Sequence, residues 1–421
     1  MCRTHYGSRR YLHYPQMNTD QIFQKLEKND FKVSTDTRAD LSGTVFFALR
    51  GDNFNGNDFV HTALAKGAVA AVSDDPKNSG ENIFVVDSVL KTLQEMAQKY
   101  RQTFTIPIIA IGGSNGKTTS KDLTRDVLKT KYKTHATNSS LNNHIGVPLT
   151  LLSMPRDTEI AVFEIGANHP GEHLELLNII QPTHVVVTNN GMDHLEGFGS
   201  PEGSRLANKE IYDWATEHSA VAFVNKNHAD LLEDSDKLER IMYPENPRLS
   251  YKTHLVGNYN YENIELALAI GAYFKVEEKE ALRAIAEYQP LSKRSQSLTK
   301  NNIHYIVDCY NANPTSMTLA LESFVASAPH PRGVVLGDML ELGSYTDVEH
   351  TKIVDFVLAQ DLETAVFVGK YFGKALKNKV GNYQFFRAIN EAKEWFAQQK
   401  FEGYTFLLKG SRGVQVEKIL E

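Results

Sequence analysis

The segment that most constrains this chain is Gly112-Gly113-Ser114-Asn115-Gly116-Lys117-Thr118-Thr119, set directly after the apolar run Ile106-Pro107-Ile108-Ile109-Ala110-Ile111. A continuous apolar run of this kind suits a strand buried on both faces of a parallel sheet. Glycines at its end let backbone N–H groups turn inward on a phosphate, and a helix starting at the lysine adds partial positive charge. Gly113, Ser114, Asn115, Gly116, Lys117, Thr118 and Thr119 are therefore candidate ATP contacts. Lys117 is placed to reach the β and γ oxygens and the Thr118 hydroxyl to ligate magnesium. The pattern G-x-x-x-x-G-K-[ST] is not met, because Ile111 stands at the first glycine position. An ordinary glycine-rich turn is the plainer reading, but Gly-Lys-Thr-Thr after a buried strand argues against it.

Short apolar runs alternate with helical patterning along the rest of the chain, which predicts an α/β fold. Runs at 45–49, 69–72 and 83–86 mark a small α/β domain over residues 1–103, closed by helical patterning at 90–100. Runs at 106–111, 160–165, 185–187 and 221–224 mark a central, mostly parallel domain over 104–289, whose helical tail ends near Pro290. Runs at 305–307, 334–336, 366–368 and 406–408 mark a Rossmann-like domain over 290–421. The first sixteen residues are basic and aromatic without periodicity, and helical patterning begins at Met17, which is read as the natural start.

A formal net charge of -6 argues against a general nucleic-acid binder, so an anionic ligand must be held locally. Cys2 and Cys309 offer neither a disulfide framework nor metal-ligand spacing, which fits a reducing compartment. No apolar run approaches the ~18 residues of a membrane span, and no signal-like segment opens the chain. A cytoplasmic monomer is expected.

Further chemistry-bearing residues follow the loop in order. Glu164 closes the run 160–163 and would sit at the carboxyl edge of the sheet, where α/β ligands bind. His194, in Thr188-Asn189-Asn190-Gly191-Met192-Asp193-His194, follows the next strand to the same edge and could share a metal with Glu164. Asn260 and Asn263, in Gly257-Asn258-Tyr259-Asn260-Tyr261-Glu262-Asn263, offer amides suited to an adenine edge or a phosphate-linked network, with a helix N-cap as the plainer alternative. Arg294, in Pro290-Leu291-Ser292-Lys293-Arg294, carries a planar guanidinium suited to a phosphoryl group changing hands.

The loop spelling resembles that of the Mur ligases and folylpolyglutamate synthases, in which Thr usually stands where Gly112 is. The later tracts are similar to that family's motifs, with Tyr259 in place of a histidine. Asp308-Cys309-Tyr310-Asn311-Ala312-Asn313-Pro314, Leu336-Gly337-Asp338-Met339-Leu340-Glu341-Leu342-Gly343 and Leu408-Lys409-Gly410-Ser411-Arg412-Gly413 resemble the member that adds D-alanyl-D-alanine. The resemblance implies an ADP-forming ligase that makes a C–N bond between that dipeptide and UDP-N-acetylmuramoyl-tripeptide through an acyl phosphate, in peptidoglycan precursor synthesis. It implies Mg2+ at Thr118, Glu164 and His194, catalytic roles for Lys117, Glu164, His194 and Arg294, and nucleotide contacts from Asn260, Asn263, Arg294 and Asp308. Thr37 and Arg38, in Ser34-Thr35-Asp36-Thr37-Arg38, resemble the uridine-diphosphate segment. Asn142 and Asn143, in the tract Asn138-Ser139-Ser140-Leu141-Asn142-Asn143, are assigned by resemblance to the muramoyl peptide. Asn311, Asn313, Lys409 and Ser411 are candidates for the dipeptide.

Two departures stand out. Many Mur ligases carry a carbamylated lysine three residues before an Ile-Tyr-like pair, but three before Ile211-Tyr212 is Asn208, with Lys209 beside it. The stretch 225–257 is also short for this family. The alternatives are another Mur-type amide ligase such as folylpolyglutamate synthase, or a protein that hydrolyses ATP without ligation. The first is disfavoured by the segments at 34–56 and the Asn-Ala-Asn-Pro run. The second is favoured only if Asn208 marks lost catalysis.

Overall fold

The apolar runs become strands of three sheets, interior in every case but Ile83–Val85, in the computed structural model, which describes residues 17–138, 141–245, 250–290 and 293–421. The chain before Met17, with the reading of Met17 as a start, and Ser139, Ser140, Leu291 and Ser292 of the quoted motifs lie outside the described residues. Two compact units result. One comprises the chain up to Thr105 with His144–Arg156, and the other Ile106–Asn143 with Asp157–Glu421.

In the first unit four parallel strands lie in the order Val33–Ser34, Val45–Phe47, Ala70–Ser73, Ile83–Val85. The helix Val89–Arg101 starts where Ser88 accepts a hydrogen bond from the Lys91 N–H and ends on Lys99 and Arg101, both favourable to the helix dipole. Its buried stripe of Val89, Leu93, Met96, Ala97 and Tyr100 recurs at helical spacing. Tyr100 stacks on Phe31 with centroids 3.9 Å apart and donates its hydroxyl to the Met154 carbonyl at 2.8 Å. Residues 144–156, including the helix Gly146–Leu152, thus pack in this unit although they fall inside the span 104–289.

The second unit holds two six-stranded sheets. The central one is wholly parallel, in the order Arg240–Tyr243, Val221–Asn225, His184–Val187, Ile108–Gly112, Ile160–Glu164, Thr134–Ala136. The other runs Gln296–Lys300, Ile303–Asp308, Thr405–Lys409, Arg332–Gly337, Thr364–Val368, Gln384–Phe386, antiparallel only at its first pair. The expected α/β class with three sheet domains is what forms. In these two sheets the strands not foreseen, Thr134–Ala136, Arg240–Tyr243, Gln296–Lys300 and Gln384–Phe386, lie at sheet edges and are largely half-buried or exposed. Their polar residues therefore carry no apolar signal.

Two histidines are buried uncharged in the central domain. His184 packs against Phe223, Tyr273 and Phe274, and His173 donates from Nδ1 to the Ala207 carbonyl at 2.9 Å. Burial lowers each imidazole from 6.5 to about 4. The unfolded chain then binds protons below pH 6.5 that the folded protein refuses until about pH 4. Stability is complete above pH 6.5 and falls as pH drops through that window, by about 3 kcal/mol for His173. Urea midpoints taken between pH 7 and 4 should show this decline, and His173→Gln should flatten it. An unaltered slope in that variant would mean His173 is not the titrating group.

Candidate active site

The strand Ile108–Gly112 lies between Ile160–Glu164 and His184–Val187, and the chain leaves it for one side of the sheet before returning to the other. Such a reversal opens a crevice at the carboxyl edge. Gly113 has φ +109, and a Cβ there would stand 2.4 Å from the Thr188 hydroxyl, so only glycine fits. Thr188 donates to the Gly112 carbonyl through its N–H at 3.0 Å and its hydroxyl at 3.2 Å. Ser114 N donates to Asn189 O at 2.9 Å, while the Asn189 amide brackets Asn115, accepting from its N–H and donating to its carbonyl, both at 3.1 Å. The tract after His184–Val187 thus splints the phosphate loop.

Gly116, φ +81, caps the helix Lys117–Lys129 without a side-chain hydrogen bond. The first N–H groups of the helix are left for an anion, the arrangement a phosphate needs. A Cβ on Gly116 would stand 2.4 Å from Asn263 Oδ1. Lys117 folds back so that Nζ donates to the carbonyls of Gly113 at 2.5 Å and Ser114 at 3.0 Å. Thr118 and Thr119 are buried in the first helical turn.

Glu164 is 2% exposed, with Oε1 accepting from the Asn142 amide at 2.8 Å and Oε2 without a hydrogen-bond partner among the described residues. A buried carboxylate oxygen left without a donor is costly unless something else meets it, and a hard divalent cation would. Among the described residues no group of three or more His, Cys, Asp or Glu could hold a metal. The oxygens of Glu164 and Thr118 are hard donors of the kind a divalent cation takes when water and phosphate complete its shell.

His194 follows His184–Val187, on the other side of the loop from Glu164. Its Nδ1 lies 2.6 Å from Glu341 Oε2, and this bond from the imidazole holds the Glu341 carboxyl below the usual carboxylate range. The two central-domain candidates Glu164 and His194 thus flank the phosphate loop.

The third sheet brings its motifs to the carboxyl ends of Ile303–Asp308, Arg332–Gly337 and Thr405–Lys409, three neighbouring strands. Asn313 begins the helix Pro314–Ser327 in a capping box with Ser316, and its amide also donates to Asn115 Oδ1 at 2.9 Å. The Thr315 hydroxyl accepts from Met192 N at 3.1 Å. A chain of buried bonds then runs from the phosphate-loop helix to this sheet. Ser120 donates to Asn263 Oδ1 at 2.9 Å, Asn263 to Asn260 Oδ1 at 3.0 Å, and Asn260 to the Ser295 hydroxyl at 3.3 Å. The Ser295 N–H in turn donates to Asp308 Oδ1 at 3.1 Å, and Lys409 to Asp308 Oδ2 at 2.5 Å. Asn260 makes no side-chain cap, so the amides are network members rather than helix caps.

Arg294 lies with its guanidinium carbon 3.4 Å from the centroid of the Tyr310 ring, and its buried Nε has no partner among the described residues. Lys409 is 1% exposed and engaged by Asp308. Ser411 donates to Ala312 O at 3.2 Å and accepts from Leu340 N at 2.9 Å, and Asn311 Oδ1 accepts from Ala312 N at 2.9 Å. Asn142 meets Glu164 and takes a bond from Gly166 N to its carbonyl at 2.9 Å, while Asn143 is exposed.

Thr37 and Arg38 belong to the first unit, on the loop after Val33–Ser34. Arg38 is exposed and grips Asp36 through Nε and Nη2, at 2.7 Å for the shortest contact, which holds the Asp36 carboxyl down at about 2. The Thr37 carbonyl accepts from Lys66 at 2.8 Å.

At the departure noted in the sequence, Asn208 is 4% exposed and donates to the Ser114 hydroxyl at 3.2 Å and to Asn190 Oδ1 at 3.0 Å. Lys209 instead pairs with Asp213 one turn along the helix. Asn189 and Glu341 are contacts that motif spelling did not single out. The only advance signal was their position inside tracts already marked, because the bonds they make join segments far apart in the chain.

A glycine loop at a sheet switch point, backed by a buried carboxylate with one oxygen unpartnered among the described residues and joined to a second α/β sheet, defines a nucleotide-binding α/β protein. The comparisons sharpen the class. Residues 32–109 match the Mur ligase family catalytic domain, 111–243 the Mur ligase middle domain, and 293–412 the Mur ligase glutamate ligase domain. The UDP-N-acetylmuramoyl-tripeptide--D-alanyl-D-alanine ligase of Bacillus subtilis is 32% identical, covering 92% of this chain and 92% of its own length. The protein of the same description from Escherichia coli is 29% identical, again over 92% of each. A crystal structure of MurF from Acinetobacter baumannii superposes with a TM-score of 0.84 at 26% identity, covering 94% of this chain and 97% of that one. The chain belongs to the Mur ligase family.

Proposed function

We propose that this chain is an ATP-dependent ligase that joins D-alanyl-D-alanine to UDP-N-acetylmuramoyl-tripeptide, in the cytoplasm, during peptidoglycan precursor synthesis. The observation that carries the reading is the uncapped helix start at Gly116 with the Glu164 oxygen that is unpartnered among the described residues, in a chain that matches a ligase of that description along 92% of its length. Joining a carboxylate to an amine in water is unfavourable, so the carboxylate must first be activated. A carboxylate oxygen of the tripeptide attacks the γ-phosphorus of ATP, ADP leaves, and an acyl phosphate remains. The amine of the dipeptide then attacks the acyl carbon, phosphate leaves, and the amine loses a proton to give the amide.

In this scheme the loop N–H groups of residues 113–119 cradle the phosphates and Lys117 swings from its own loop carbonyls to the γ oxygens. Thr118, Glu164 and the Nε2 atom of His194 would hold Mg2+, which when bound neutralises phosphate charge. Arg294, stacked on Tyr310, is assigned to the γ-phosphoryl group. Asn260, Asn263 and Asp308 serve the nucleotide side through the bonded chain that ends on Lys409. Thr37 and Arg38 are assigned to the uridine diphosphate end and Asn142 and Asn143 to the muramoyl peptide. Asn311, Asn313 and Ser411 shape the dipeptide side, Asn313 and Ser411 through backbone and loop contacts. The residue spans 1–103, 104–289 and 290–421 are the proposed division among the precursor, ATP and dipeptide.

The second reading, ATP hydrolysis without ligation, draws on Asn208, which puts a neutral amide against the phosphate loop. One assay separates the two: purified protein with Mg-ATP and UDP-muramoyl-tripeptide, phosphate release followed with and without D-Ala-D-Ala. Release that requires the dipeptide is expected. Release indifferent to it would sink the ligase reading.

A further inference from the structure

His194 is gripped from the neighbouring sheet. It caps the short helix Leu195–Phe198 in a left-handed conformation, φ +45, and points Nδ1 at Glu341 Oε2 across 2.6 Å. Glu341 follows the strand Arg332–Gly337 of the third sheet and is itself left-handed, φ +62. Two non-glycine residues held in that region imply that their surroundings determine them.

Those surroundings are specific. Glu196 N donates to the Glu341 carbonyl at 3.0 Å. Leu195 is 2% exposed and buried in the third sheet's core with Leu336, Met339 and Leu342. Gly343, φ +51, lies against the Glu196 backbone at this seam. The pairing of His194 with Glu341 is therefore part of the joint between the two sheets and not a passing surface contact.

A carboxylate at Nδ1 keeps the proton on that nitrogen, orients the ring, and leaves Nε2 with its lone pair available. We propose that Glu341 is a positioning residue for the divalent-cation site, fixing the tautomer and direction of His194 from the third sheet. The inference rests on the reading of His194 as a cation ligand. It means that docking of the dipeptide-side sheet and readiness of the cation site are one event.

The test uses Mn2+ as the probe, bound to the full-length protein with a non-hydrolysable ATP analogue and followed by the electron paramagnetic resonance signal of free Mn2+. Glu341→Asn tolerates the left-handed backbone but is too short to reach the ring, and it should weaken Mn2+ binding about tenfold. Glu341→Gln, which keeps an acceptor, should recover part of the loss, and nucleotide affinity without metal should not move in either variant. In a His194→Ala background, Glu341→Asn should add nothing. Wild-type Mn2+ affinity in Glu341→Asn alongside weakened binding in His194→Ala would overturn the proposal, as would an equal loss with and without His194. If His194→Ala itself binds Mn2+ normally, the cation-ligand reading fails, a result distinct from either. Should Glu341→Asn not fold, the Glu341→Gln variant carries the same comparison.

Discussion

Lys117→Ala is expected to cut turnover about a thousandfold while leaving the fold intact. The lysine ends a glycine loop whose backbone is held by others: Thr188 on Gly112, Asn189 on Ser114 and Asn115, Asn263 against Gly116. Its own bonds, to the carbonyls of Gly113 and Ser114, are made by a partly exposed amine. Water can replace these, so the stability change should stay within about 1 kcal/mol. The catalytic loss is larger because, in the proposed scheme, the ammonium swings to where negative charge gathers during phosphoryl transfer, and removal of one such donor typically costs about 10²–10³ in rate. Steady-state rates of phosphate release, with thermal unfolding of the same variant, check both halves. Near-normal activity would refute the phosphate role.

Glu164→Gln should separate catalysis from stability even more sharply. Glutamine preserves the volume and an oxygen to accept from Asn142, but removes a charge buried at 2% exposure with one oxygen unpartnered among the described residues. Removing a buried charge that lacks a counter-ion is neutral or stabilising in the ligand-free protein. A neutral amide oxygen is a poorer magnesium ligand, so turnover should fall about a hundredfold or more. Unfolding midpoints at or above wild type together with lost turnover is the expected pair. Lower midpoints with retained activity would mean that Glu164 is a structural carboxylate and that the cation is held elsewhere.

The legibility of the site tracked how local its chemistry is. The phosphate loop was readable because its parts, a buried strand, glycines at φ +109 and +81, and a helix start, are consecutive in the chain. Glu164 was readable because a charge at the end of an apolar run has few alternatives to the sheet edge. Asn260 and Asn263 stood out as candidates, but their bonding to Ser120 and Ser295 was not foreseeable, since the partners lie 143 and 35 residues away. Lys409, a candidate for the dipeptide by resemblance, is buried against Asp308, a partner 101 residues distant that no local pattern indicates.

What the amino-acid order determined by itself is the phosphate loop, the α/β alternation and the family, because strand burial and glycine geometry act over a few consecutive residues. Only the tertiary structure decided that Asn208 rather than Lys209 meets the loop, since a step of one residue on a helix turns a side chain by about 100° and the packing of the helix selects the face. It alone joined His194 to Glu341, 147 positions later in the chain, through two left-handed residues whose conformations no local preference supplies. Contacts of that span are set by which sheet faces pack together, and packing is a property of the whole folded chain.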